Sequence, residues 1–331
     1  MAINKRLRIL LIVLLLGILS ACGLSARVTS SELGATAEVL ASTQIAGKVP
    51  IVDDVAEQII VNPTDPPLPP LATSVPPSTV SPGSPTPDTR LAPTYWRQWP
   101  TIPVLNDNIL QRFKNALDAG RDPTHFSVIG DCQSQPNVFF GIYDTEDRYY
   151  LGEGYEHLQV TIDYYAGNFG RQSAAVKNGL SVASVFSPLW APAEVCTSGE
   201  SPMDCELRIH NPSLVIVSLG TNWTSGASQS FEGYLRDIVD HLLANHVLPI
   251  IVTKADNIEG DGSLNLAMAQ VAYEYDIPLW NFWPNVQHLP NDGIDPVRKG
   301  GYIYLVPEAW DIKSFTGLQA LDAIRTTVTS R

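Results

Sequence analysis

Positive charge is scarce in this chain: 21 Lys and Arg stand against 34 Asp and Glu, a net charge of −13. Binding a phosphate backbone needs clustered cations, and beyond the first few residues there are none, so nucleic acid is excluded as a partner. Cysteine is scarcer still, at four residues. No two lie two to four apart with further ligands downstream, which excludes a structural zinc site. The early apolar run, Ile9 to Leu16, is shorter than the roughly 20 residues a spanning helix needs. Glycine is missing where a phosphate cradle requires it. After the first apolar strand, Gly130-Asp131-Cys132-Gln133-Ser134 offers a single glycine, too few for a nucleotide loop. No internal repeat is visible, and no metal or cofactor is expected.

What is present begins with an address. Lys5, Arg6 and Arg8 precede the apolar run, and Leu19-Ser20-Ala21-Cys22 closes it with small residues and a cysteine. This resembles the bacterial lipoprotein signal. The resemblance implies removal of residues 1–21, lipidation of Cys22, and attachment to a cell membrane on its extracytoplasmic face, at the cell surface or in a periplasm. Removal takes three cations and no anions, leaving 18 Lys and Arg against 34 Asp and Glu, a net charge of −16. The other cysteines agree with export. Cys196 and Cys205 bracket the polar stretch CTSGESPMDC and are expected to close as a disulfide. Cys132 has no such partner and reads either as a small buried apolar residue or as a reactive thiol.

Residues 22–92 have few aromatics, and eleven prolines fall between Pro63 and Pro93. Such a segment buries too little apolar surface to offset its ordering entropy, so an extended stalk is expected. The remaining 239 residues, 93–331, suffice for one domain. Helical spacing appears over Asn106–Ala119, Phe231–Asn245, Leu264–Tyr275 and Ser314–Thr327. Apolar runs too short for helices appear at Phe126–Ile129, Ser213–Leu219, Leu248–Thr253 and Pro278–Phe282. Their alternation predicts an α/β fold, a doubly wound, flavodoxin-like parallel sheet with helices on both faces. Functional groups are then expected at the carboxyl ends of the strands.

Three short motifs sit at those ends in order: Gly130-Asp131-Cys132, Lys177-Asn178-Gly179-Leu180 and Gly220-Thr221-Asn222. They resemble the first three blocks of the SGNH (GDSL-type) hydrolase superfamily over about residues 124–328. In that superfamily a serine is the nucleophile, and a glycine and an asparagine complete the oxyanion hole. The resemblance implies ester hydrolysis, with Cys132 standing where the serine belongs and Gly179 and Asn222 as oxyanion positions. Acyl transfer builds negative charge on the carbonyl oxygen, so fixed donors matter: the N–H groups of Cys132 and Gly179 and the amide of Asn222. Backbone donors do not depend on the side chain that follows Asp131. The alternative role for these residues is as turn glycines and a loop cap.

The superfamily also supplies a late Asp-x-x-His between the last strand and last helix, here Trp283 to Trp310. A hydroxyl or thiol nucleophile needs that oriented imidazole to take its proton and deliver it to the leaving group. In one register Asp292 is kept and Asp295 replaces the histidine. In the other, preferred because Gly301-Tyr302 matches a Gly-aromatic step before the imidazole, Gly300 replaces the aspartate and Ile303 the histidine. His288 precedes the acidic residues and reads as a solvated loop residue. His125, His157, His210, His241 and His246 read as structural or exposed.

Trp223, Trp280, Trp283, Tyr302 and Tyr304 flank these motifs and serve either packing or a ligand. Lys254, Asp256 and Asn257, after the strand Leu248–Thr253, either bind a polar ligand or pair with one another. The composite expectation is a lipid-anchored hydrolase-like domain with a degenerate ester-hydrolase site that binds or scaffolds, its ligand a glycan or an acyl ester. The competing expectation is a weakly active, Cys-dependent ester hydrolase. A thiolate at a helix start attacks without a base, but deacylation then lacks a group to activate water.

Overall fold

In the computed structural model the described residues are 90–223, 227–297 and 303–329, all within one compact unit, Pro82–Arg331. The signal segment, Cys22, nearly all of the stalk, Gly300 and Tyr302 lie outside the described residues. Arg90 is already held by the domain: its guanidinium donates to Tyr273 O and Asp276 Oδ1 at 3.1 and 3.0 Å. Among the described residues no helix is long and apolar enough to cross a membrane.

Among the described residues four strands form one parallel sheet in the order β1-β2-β3-β4. They are β1 (Asp122–Gly130), β2 (Pro212–Ser218), β3 (Leu248–Val252) and β4 (Leu279–Trp280). On the outer edge of β1, Val176 makes a parallel bridge to Gly130. Counting that bridge as a short strand restores the flavodoxin-like order, in which the chain reverses direction across the sheet beside β1.

Among the described residues six helices pack on the two faces: α1 (Asp107–Asp118), α2 (Gln159–Tyr164), α3 (Pro202–His210), α4 (Ser228–Ala244), α5 (Ser263–Tyr275) and α6 (Pro307–Thr329). Strand β2 shows the division. Val215 and Val217 join a core with α3, α4 and α5, whereas Leu214 and Ile216 join α1, α2 and α6 on the other face. Alternate side chains of a strand point to opposite faces, and a strand covered on both reads as one continuous apolar run. The doubly wound α/β class expected from the sequence is the one observed.

Local chemistry sets the ends of these elements. Asn106 caps α1 by accepting from Ile109 N at 2.9 Å, and Ile109, Leu110, Phe113 and Ala116 bury its apolar face. Helix α3 was not expected. Ser201 caps it, Pro202 opens it, and Asn211 ends it in the left-handed conformation. Helix α6 begins seven residues before the expected Ser314, at Pro307, because Ala309 and Lys313 extend its buried stripe backwards. The expected disulfide joins Cys196 to Cys205, with Cα atoms 5.4 Å apart. Those two sulfurs and Glu200 are the single cluster of metal-ligand type among the described residues, and the bond commits both sulfurs.

At the amino ends of the strands His125 and His210 stack face to face, ring centroids 4.4 Å apart. His210 Nε2 meets Asn168 Oδ1 at 2.7 Å and Phe126 O at 3.1 Å; with two acceptors there, it carries the proton. Burial, then the charge of Arg171, pushes His210 down to about 4 from an ordinary 6.5. The unfolded chain therefore binds a proton that the native state refuses. That contribution to stability is fully present above about 6.5 and is lost as pH falls toward about 4. Urea midpoints should decline across that interval, and His210→Gln should flatten the decline.

Candidate functional site

Strand β1 delivers its last residue, Gly130, into a turn with no room for a side chain: a Cβ there would sit 2.2 Å from Ser134 Oγ. Asp131 then caps the short 3₁₀ turn Cys132–Ser134, its carboxylate accepting from Gln133 N at 2.9 Å. Cys132 is 3% exposed. Its thiol donates to Ile303 O at 3.9 Å, and the Tyr304 side chain also hydrogen-bonds to it.

The other two motifs are tied to this turn. Gly130 N donates to Ala175 O and Lys177 N to Gly130 O, at 3.0 and 3.1 Å, which lays the segment before Gly179 against the end of β1. Gly179 is exposed and has φ +84°, and a Cβ added there would meet the Trp190 ring at 3.5 Å. Asn222, after β2, donates its amide to Leu180 O at 3.2 Å. An amide nitrogen carries two hydrogens, and this bond uses one. Behind Asn222, Thr221 Oγ1 donates to Asp256 Oδ2 at 3.0 Å, and Lys254 Nζ bonds Asp256 and Glu259 at 2.6 and 2.5 Å. Asn257 accepts from Gly262 N at 2.7 Å. The polar residues after β3 thus pair with their own loop and, through Asp256, with Thr221 after β2.

Neither member of the first register, Asp292 or Asp295, is a hydrogen-bond partner of Cys132. Asp292 is exposed, and Asp295 accepts from Val297 N at 2.9 Å. From the second register Ile303 meets the sulfur, through its carbonyl. Among the described residues no imidazole bonds to Cys132. His125, His210 and His246 lie at the amino ends of the strands, and His241 meets Asp204 at 2.8 Å. His157 lies 4.0 Å from Asp322, and His288 is exposed. Trp280 is core, Trp283 packs edge-on against Trp96, and Trp223 packs on Phe231 and Tyr234.

Sequence reasoning missed Lys313. It is 2% exposed on α6, and its ammonium donates to Gln133 O at 2.8 Å and to Ser218 Oγ at 3.1 Å. The available signal was spacing: Ala309, Lys313, Gly317, Ala320 and Ile324 continue one helical stripe. With Asp131, Ser218, Thr221 and Lys254 it lines a cavity of about 10 Å³.

The electrostatics follow from burial. Cys132 is pushed up to about 11, first by burial and then by the Asp131 charge, with Lys313 opposing. Burial also pushes Asp131 up to about 6 and Lys313 down to about 8. A thiol near 11 is almost wholly protonated at neutral pH. The site therefore presents a sulfur that holds its proton.

No family model and no curated protein matches the chain. Solved structures do. The psychrotrophic esterase EstA from Pseudoalteromonas sp. is 12% identical, over 61% of this chain and 98% of that one, with a TM-score of 0.41. A GDSL-like lipase from Bacteroides thetaiotaomicron is 14% identical, over 65% and 98%, with a TM-score of 0.39. In this chain itself, Gly-Asp-Cys, Lys-Asn-Gly and Gly-Thr-Asn stand in order at the carboxyl edge of a doubly wound sheet. Their order and their place at the strand ends are those expected from the sequence.

Proposed function

We propose that this chain is a lipid-anchored, extracytoplasmic SGNH-type domain that has lost ester hydrolysis and binds its ligand, an acyl ester or an acylated glycan, without turning it over. One observation carries the reading: the Cys132 thiol is buried, pushed up to about 11, and has Ile303, Tyr304, Asp131 and Lys313 around it instead of an imidazole. General base catalysis needs an acceptor within hydrogen-bond reach of the nucleophile and near neutral pKa. A carbonyl oxygen accepts a hydrogen bond but cannot take the proton. The lipid anchor and the location rest on the Leu19-Ser20-Ala21-Cys22 pattern. A ligand would lie along the cleft of about 420 Å³ bounded by Gln135, which follows the Cys132 turn in sequence, by Val176, Lys177 and Asn178, which precede Gly179, and by Pro192.

Chromogenic acetyl and butyryl esters test the reading. Turnover by the purified chain should not exceed that of Cys132→Ala. Hydrolysis that Cys132→Ala abolishes overturns it.

A further inference from the structure

Lys313 has no part in the acyl-transfer scheme, yet it is as buried as the core around it. Taking an ammonium out of water is costly unless partners replace the lost hydration. Its partners here belong to the Cys132 turn and to the neighbouring strand end: Gln133 O at 2.8 Å and Ser218 Oγ at 3.1 Å. The first is the carbonyl of the residue after Cys132; the second is the last residue of β2. The ring of Phe139 lies 4.8 Å from Nζ, with Trp310 and Phe282 at 5.9 and 6.0 Å. These aromatic faces favour a cation and confine its stem.

We propose that Lys313 is a positioning residue of the Cys132 site: its buried ammonium pins the 131–134 turn to the end of β2 and supplies the positive charge against which a negative sulfur at residue 132 is held. The inference rests on reading Cys132 as the nucleophile position. In a Cys–His site the imidazolium is the counter-charge, brought in by the loop before the last helix. Here the cation comes one element later, from α6 itself, and reaches the turn through the core.

The charges around the sulfur are few. Asp131, on the same turn, opposes ionisation, while Lys313 from α6 and the Tyr304 side chain favour it. Behind Asp131 stands Asp256, after β3, which opposes ionisation of that carboxyl and is itself paired with Lys254. Lys313 is thus the cation that acts on both members of the Asp131-Cys132 pair.

The test is the rate at which iodoacetamide alkylates Cys132 in the full chain, followed by the mass of the Cys132 peptide so that other cysteines do not interfere. At neutral pH, Lys313→Met should slow alkylation about tenfold or more, the loss expected when an adjacent opposite charge is removed. Asp131→Asn should speed it by a similar factor. A lysine that merely holds the turn predicts the opposite sign for Lys313→Met, because a loosened turn exposes the sulfur. In the parent chain the rise of rate with pH should flatten near 8, where Lys313 loses its charge, and the flattening should vanish in Lys313→Met. Should that variant fail to fold, Asp131→Asn compared with Asp131→Asn/Lys313→Met, which removes both buried charges together, carries the same test. An unchanged or faster rate on losing Lys313, in either background, overturns the proposal. Alkylation needs neither a general base nor deacylation, so failure of the ester reading leaves this comparison standing.

Discussion

Trp280→Ala is expected to lower the free energy of unfolding by about 3–5 kcal/mol, the range for deleting a buried aromatic side chain. Trp280 is 0% exposed on β4. Its ring lies 6.0 Å from that of Phe139 and 6.1 Å from that of Phe282, and Nε1 donates to Thr316 Oγ1 at 3.2 Å. Helix α6 comes so close that a Cβ on Gly317 would fall 2.6 Å from the indole. Surroundings this tightly fitted collapse little into a vacated volume, which places the effect toward the upper end of the range. The truncation also takes from Thr316 Oγ1 the indole donor it accepts from and loosens the seat of the helix that carries Lys313. A urea unfolding curve measures the loss, and a change below about 1 kcal/mol would show that the interior relaxes around the gap.

Glu206→Ala should cost about 3 kcal/mol or more, because it breaks a buried ion pair from one side. Glu206 is 1% exposed. It accepts from both terminal guanidinium nitrogens of Arg171, from Ser127 Oγ, and from Ala174 N at 2.8 Å. Removing the carboxylate leaves the Ala174 amide without its acceptor and Arg171 without its counter-charge. Glu206→Gln keeps one oxygen acceptor at the same place, although its NH2 faces donors on the other side, and should cost less than Glu206→Ala. The damage should also spread. Residues 171–174 lead into the 175–177 segment that bridges to Gly130, so amide hydrogen exchange from Gly130 to Leu180 should accelerate in Glu206→Ala and stay near the parent's in Glu206→Gln.

Much of the fold was legible in the sequence because the apolar periods are unambiguous. Ile109, Leu110 and Phe113 mark one helix face, and Leu214 to Val217 form a run too short for a helix and too apolar for an exposed strand. Helix α3 was not legible, since Met203 and Leu207 are sparse markers and its buried face also includes Cys205 and Glu206. A polar residue on a buried face carries no periodic signal unless its partner is known, and Arg171 lies 35 residues away from Glu206.

The candidate site divides in the same way. Gly130-Asp131-Cys132, Gly179 and Asn222 were visible because a strand end followed by glycine is a local pattern, and the Cys196–Cys205 pairing was visible because the spacing and composition are local too. The residues facing the Cys132 sulfur were not. Chain order alone determined that this is a doubly wound α/β domain with its three motifs along one edge, and that the turn after β1 carries a thiol. Tertiary structure alone decided that Lys313 bonds the carbonyl of the residue after that thiol, that Ile303 and Tyr304 hydrogen-bond the sulfur, and that every histidine stands elsewhere. The physical reason is range: hydrophobic period and turn chemistry act over a few neighbouring residues, whereas the charge and desolvation that govern a buried proton come from groups brought together only by packing.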